Sequence, residues 1–357
     1  MKGLKNHHGS KWEEKTMHMA DALVSPVVGS VMWAVSAGFA AYSVNRLKKD
    51  SEDAKVPLMG VMGAFVFAAQ MINFSIPGTG SSGHIGGGML LSALLGPVGG
   101  FLTMASVLLI QALFFGDGGL LAFGCNLVNL GVFTCFFAYP LIWRRVMKKE
   151  VTPGRIWWGS VLSVVAALQL GSFSVVLETL ASGKTELPFS SFVLLMQPIH
   201  LAIGIVEGLV TAAVLTFVWR ARPELLAVGG EHLPEGTSLK KVLIGFGIAV
   251  LVVGGAFSLF ASSNPDGLEW SMFHVNGEEE LVAEGAAHEP FAALQEKTML
   301  LPDYSFKVPE GANKEAAEAS VMAGTSVSGI VGGAMTLLLA GLIGLFATWF
   351  RKRGKHA

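Results

Sequence analysis

The sequence predicts an all-α polytopic membrane protein, and three observations carry that expectation. Hydrophobic residues make up 52% of the 357 and charged residues only 14%, where soluble domains carry roughly 25% charge. The apolar residues gather in runs at about 21–45, 56–75, 85–115, 118–143, 156–181, 190–219, 240–262 and 326–350, most of them near the ~20 residues a helix needs to cross a bilayer. Between the runs, basic residues fall into four clusters: Arg46/Lys48/Lys49/Lys55, Arg144/Arg145/Lys148/Lys149/Arg155, Arg220/Arg222/Lys240/Lys241 and Arg351/Lys352/Arg353/Lys355. Charge is segregated rather than scarce on both sides, so a net charge of −1 fits a lipid setting and gives no footing for a nucleic-acid partner.

Residues 1–16, MKGLKNHHGSKWEEKT, contain no apolar run and are not a signal peptide. They read as a polar tail or as sequence ahead of the true start, and His7 and His8 in it form either a weak metal-binding tract or a solvated one. Met17-His18-Met19-Ala20-Asp21 leads into the first span, and the second is followed by the polar loop Gly78-Thr79-Gly80-Ser81-Ser82-Gly83-His84. The third run is interrupted by Gly96-Pro97-Val98-Gly99-Gly100, which allows one long tilted helix or two short ones joined at the break. The positive-inside rule chooses between them. All four basic clusters reach the cytoplasm only if the chain crosses an even number of times between Asn73 and Gly116, so 85–115 becomes two short helices and the spans total nine.

Met17, His84 and the acidic 263–325 loop then lie outside, and the C-terminal RKRGKHA inside. The chain divides into a seven-helix unit (17–222), a short cytoplasmic linker (223–239) and a two-helix accessory unit (240–357) with an extracytoplasmic loop. Pro223, Gly229, Gly230, Pro234 and Gly236 give the linker the composition of a domain connection. No internal repeat supports a solenoid.

Two glycine motifs lead nowhere. Gly78-Thr79-Gly80-Ser81-Ser82-Gly83 matches a dinucleotide fingerprint letter for letter, but that motif needs a soluble βαβ setting. Gly183-Lys184-Thr185 resembles the end of a phosphate-binding loop, yet Glu178 stands where its first glycine belongs. No ATPase is encoded, and the absence of H-E-x-x-H removes an intramembrane metalloprotease. Cys125 and Cys135 are the only cysteines; ten residues apart, about 15 Å along a helix, they read as apolar packing groups.

Histidine carries the sharper signal, being the commonest protein ligand for borderline metals. If Met17 is N-terminal, its amine, the deprotonated amide nitrogen of His18 and the His18 imidazole form two fused chelate rings. His84 can fill the fourth corner. A planar four-nitrogen field suits Ni(II) or Cu(II), whereas Zn(II) prefers a tetrahedron. His200 and Glu207 sit seven residues apart on one helix face, where they line a path, shape a metal site or simply pair. Asn126 and Asn129 either hold a ligand histidine in its tautomer or bond between helices.

Four stretches together resemble the substrate-binding membrane component of cobalt/nickel energy-coupling factor transporters, the CbiM/NikM family. They are MHMADALVSPVVG (17–29), FSIPGTGSSGHIGGGMLLSALLGPVGG (74–100), QALFFGDGGLLAFGCNLVNLGV (111–132) and HLAIGIVEGLVTAAVL (200–215). The resemblance implies that Met17, through its amine, His18 and His84 hold the metal, with Asn126, His200 and Glu207 as second-layer or path residues. Sixteen residues precede Met17, so the amine requires translation from Met17 or removal of the tail. Pro265-Asp266-Gly267-Leu268-Glu269-Trp270 just after a span, then Leu301-Pro302-Asp303-Tyr304, resemble the fused accessory component of the nickel branch, a NikN-like PDGLE domain.

The resemblance implies a non-enzymatic uptake component of the plasma membrane with no permanently bound cofactor, whose transported ligand is Ni2+ or Co2+. It also implies a transmembrane coupling (T) subunit and two cytoplasmic ATPase subunits as partners. The PDGLE sequence tilts the cargo toward nickel; the alternative is cobalt uptake supplying cobalamin biosynthesis. A reading from another class is a stand-alone cation channel or proton-coupled carrier using His200 and Glu207.

Overall fold

A computed structural model describes residues 18–50, 55–226, 239–279, 281, 283, 285–306 and 314–354. Met17, the 1–16 tail with His7 and His8, most of the 223–239 linker and the last three residues lie outside the described residues. After a 3-10 turn at Asp21–Leu23 come α1 (Pro26–Asp50) and α2 (Lys55–Gln70). Two short strands follow, β1 (Phe74–Ile76) and β2 (Ser81–Gly83), paired antiparallel with Ser75 opposite Ser82. Then come α3 (Gly88–Phe115), α4 (Phe123–Met147), α5 (Pro153–Ala181) and α6 (Phe189–Ala221). The C-terminal unit adds α7 (Lys240–Gly255), α8 (Gly267–Asn276), α9 (Glu289–Thr298) and α10 (Lys314–Gly354).

By length and apolarity, seven helices among the described residues are able to cross a membrane, with α2 a shorter apolar one of 16 residues. Large side chains such as Val27, Leu194, Phe217 and Leu338 stand exposed on their outer faces, which a lipid solvent tolerates and water would not. The helices start and stop for local reasons. Thr152 caps α5 by accepting from Arg155 N, with Pro153 in the first turn. Asp266 and Glu269 close a capping box on α8, and Gly277 ends it in a left-handed conformation.

The third apolar run is broken into two helical arms at Gly96. Gly96 takes φ 75 and ψ 171, a region essentially closed to residues with a Cβ, and Pro97 follows it. Beyond the break the chain turns back. A Cβ on Gly100 would lie 2.9 Å from the backbone nitrogen of Ser92, whereas eight residues of straight helix separate two atoms by about 12 Å. Gln70 shows where the two arms end: its Nε2 donates to Gly86 O at 3.0 Å, and its Oε1 accepts from Gln111 Nε2 at 2.8 Å. The first arm, Gly88–Leu95, is only about 12 Å long, so it enters and turns rather than crossing, and the nine crossings expected from sequence are not reached among the described residues.

α2 is buried on nearly every side and is the post around which the two units pack. α10 lies against it through small residues: a Cβ on Gly60 would come within 2.8 Å of Leu337 O, and one on Gly332 would enter the Phe67 ring. Such close helix approach is how membrane bundles gain van der Waals contact. The basic ends collect together, with the Lys48 ammonium 4.7 Å from the Phe350 ring and the Arg353 guanidinium 3.9 Å from the Trp349 ring. At the opposite end of these helices, the 3-10 turn, the β-hairpin, α8 and α9 enclose a small cavity.

Candidate metal centre

His18 is buried and fixed by polar groups at the end of α3 and just beyond it. Its backbone N–H donates to Asp117 Oδ1 at 3.1 Å. Its ring Nε2 lies 3.0 Å from Gln111 Oε1 and 3.7 Å from Asp117 Oδ2. The tautomer follows from the chain of amides. Gln111 spends its Nε2 on Gln70 Oε1, and Gln70 spends its own on Gly86 O. The Gln111 oxygen therefore faces His18 and accepts, which puts the proton on Nε2 and leaves the Nδ1 lone pair free. Nδ1 is the ring nitrogen that closes a chelate with the residue's own backbone nitrogen. Gly118 makes room for this: at φ 78, a Cβ there would lie 3.0 Å from the His18 Cβ and 2.9 Å from Asn126 Nδ2.

His84 meets His18 edge-on, ring centroids 5.5 Å apart and planes at 72°. Its Nδ1 is buried without a hydrogen-bond partner, an exception that calls for a ligand. Burial, with His18 and His200 close by, pushes the His84 pKa down to about 3. The ring is neutral at physiological pH and its lone pair is available. β2 sets the height of His84, and the C-terminal unit holds β2: Ser82 N donates to Pro265 O at 2.7 Å, and Ser82 Oγ to Asn264 O at 2.8 Å.

A cavity of about 100 Å³ lies among His18, His84, Asn126, His200, Glu207 and Asp266. The residues singled out from sequence thus share one chamber, Met17 excepted because it lies outside the described residues. Their tasks differ in detail from expectation. Asn126 does not hold a histidine ring. It clasps the backbone of Met19, accepting from its N–H and donating to its C=O, each at 3.0 Å. The ring is oriented instead by Gln111, which sequence reasoning passed over. Asn129 donates to Glu178 Oε2 at 2.9 Å. Glu207 does not pair with His200; its Oε1 accepts from Gly87 N at 2.8 Å and so anchors the loop just after His84. The His200 Nδ1 turns to Met196 O, 2.7 Å away on its own helix.

Three groups that sequence reasoning missed complete the surroundings: Gln111, Asp117 and Tyr304, whose hydroxyl donates to Asp117 Oδ2 at 2.5 Å. Gln111 and Asp117 carried a signal, being polar residues amid apolar ones. Among the described residues no three His, Cys, Asp or Glu side chains converge as a metal cluster.

Residues 18–225 match the cobalt uptake substrate-specific transmembrane region, CbiM. The chain belongs to the CbiM family. Residues 240–348 match the PDGLE domain, so a CbiM region and a PDGLE domain are joined in one chain. A protein of Archaeoglobus fulgidus, provisionally named a fused nickel transport protein, is 31% identical over 90% of this chain and 96% of its own length. The fused nickel transport protein of Rhodobacter capsulatus is 32% identical, covering 71% of this chain and 75% of its own. The crystal structure of a truncated transition metal transporter superposes with a TM-score of 0.51 at 28% identity, covering 57% of this chain and 99% of that one. The CbiM part thus has a solved counterpart of the same fold and a function in metal transport.

Proposed function

We propose that this chain is the substrate-binding component of an ATP-driven energy-coupling factor transporter that captures Ni2+, or Co2+, at the outer face of the plasma membrane. The observation that carries the reading is the pair of His18 and His84. One ring is set by Gln111 to leave Nδ1 free, and the other presents a buried Nδ1 with no partner. Once the His18 amide has given up the proton it now donates to Asp117, its nitrogen and the amine of an N-terminal Met17 would complete a planar four-nitrogen field, which favours Ni(II) over Zn(II). Nickel is the preferred cargo because a PDGLE domain is fused to the CbiM region, an arrangement also found in relatives named for nickel transport.

The seven-helix unit, 17–222, carries the site and the two-helix unit, 240–357, closes over it, joined by the cytoplasmic linker 223–239. The chain hydrolyses no ATP; a transmembrane coupling subunit and two cytoplasmic ATPases supply the energy. The test is Ni2+ retention by the purified protein. His84→Ala is expected to weaken Ni2+ binding by more than ~100-fold, since loss of an outer-layer partner alone costs 10–100-fold, with little change in expression. A protein starting at Met17 should bind Ni2+, and one forced to keep residues 1–16 should bind far more weakly. Wild-type Ni2+ affinity in His84→Ala would sink the reading.

A further inference from the structure

Tyr304 belongs to the C-terminal unit, yet it reaches the centre of the CbiM region. It is 5% exposed, stacked on Phe115 with centroids 5.0 Å apart and planes at 18°, and edge-on to Phe67 at 6.4 Å. Asp303 and Tyr304 have φ of 49 and 58, a left-handed conformation uncommon without glycine. Contacts on both sides hold it: Tyr304 N donates to Leu301 O at 3.1 Å, and Ser328 Oγ of α10 donates to Tyr304 O at 3.2 Å.

The segment before it is fastened as firmly. Wide π-type winding at Gln111–Phe115 turns out backbone carbonyls. Gln295 Nε2 donates to Ala112 O at 3.0 Å, Thr298 Oγ1 to Leu113 O at 2.6 Å and Leu300 N to Phe114 O at 2.8 Å. The stretch bearing Gln111 and leading to Asp117 is therefore laced to the 295–304 segment.

The decisive contact is the Tyr304 hydroxyl on Asp117 Oδ2, because Asp117 Oδ1 accepts the His18 backbone N–H. A carboxylate turns on a broad sp3–sp2 torsion, and donors on both oxygens fix its plane. We propose that Tyr304 is a positioning residue of the candidate metal centre: it fixes the Asp117 carboxylate that accepts the His18 amide proton and, through that contact, holds the His18 backbone and ring in place for the cation. This rests on the capture reading above. The C-terminal unit then completes the site rather than merely covering it.

The test uses the whole purified protein with Ni2+ alone as probe, reading affinity and the visible absorption of bound Ni(II). Tyr304→Phe keeps the ring on Phe115 and removes only the hydroxyl. It should weaken Ni2+ binding ~10–100-fold, as loss of an outer-layer partner does, and shift the absorption band, which a loss of stability alone would not move. Asp117→Asn should lose a similar factor, and the double variant should be no worse than Asp117→Asn, because both act through one contact. A wild-type affinity and spectrum in Tyr304→Phe, or losses that multiply in the double variant, would overturn the proposal. If Tyr304→Phe fails to accumulate, a wild-type spectrum in Asp117→Asn overturns it equally. His84→Ala in the same assay separates the two ideas. Ni2+ lost there but kept in Tyr304→Phe refutes only the role of Tyr304; Ni2+ kept in His84→Ala removes the capture site and this inference with it.

Discussion

His84 shows how burial alone can hold one side chain neutral and unpartnered. Its imidazole, unprotonated and without a partner at Nδ1, sits where water is scarce. Burial holds its pKa at about 3 against an ordinary 6.5, so folding selects the neutral ring. Above pH 6.5 that selection costs nothing, since the unfolded chain is neutral there too. As pH falls from 6.5 toward 3, the unfolded chain takes up a proton that the folded one refuses, and stability drops by up to about 1.4 kcal/mol per pH unit. The metal-free protein should therefore melt at progressively lower temperature between pH 6.5 and 4.5, and His84→Gln should flatten that slope. Parallel melting profiles for the two would show that His84 is solvated. His18, His84, Asn126, His200 and Glu207 were all legible in the sequence, because polar groups among apolar runs stand out. Gln111 and Asp117 stood out no less. Their importance was hidden because their contacts to His18 bridge 93 and 99 residues, a separation that only packing closes.

Among the elements, the α3 hairpin does most to place the site. Its first arm begins beside Gly87, the anchor point of Glu207, and its second arm delivers Gln111 back to the same end. The reversal depends on Gly96, where nothing lies within 4 Å of the position a Cβ would take. Any penalty for Gly96→Ala is thus one of backbone conformation rather than of crowding. We expect a loss of about 1–3 kcal/mol, read as a lower melting temperature, while Gly38→Ala on α1, also with open space around it and at an ordinary helical position, should be neutral or slightly stabilising. Equal melting temperatures for the two variants would mean that the turn is less constrained than its angles indicate. Composition revealed the break at Gly96-Pro97, whereas charge parity, which asked for two crossing helices, did not foresee an arm too short to cross. The short length of the first arm and the β-hairpin ahead of it were not legible, since neither leaves a periodic pattern.

For the molecule as a whole, the metal centre and the basic helix ends lie at opposite poles, and that polarity predicts the orientation in the membrane. Single cysteines introduced at the exposed Thr185 and Glu150 test it, one in the loop after α5 and one in the loop before it. Cys125 and Cys135 are both buried, so background labelling should be low. In intact cells Thr185→Cys should react with an impermeant thiol reagent and Glu150→Cys only after permeabilisation. The reverse pattern would invert the protein and place the capture site inside.

What the amino-acid sequence determined alone was the material: an all-α membrane chain, the segregation of its basic residues, and the histidines worth attention. Those follow from transfer energies and charge asymmetry, which add up residue by residue along the chain. What tertiary structure decided was who touches whom: Gln111 rather than Asn126 on the His18 ring, Glu207 on Gly87 rather than on His200, and Tyr304 on Asp117 across 187 residues. Hydrogen bonds are short-ranged and directional, so their partners are settled only when distant helices have packed to within an ångström.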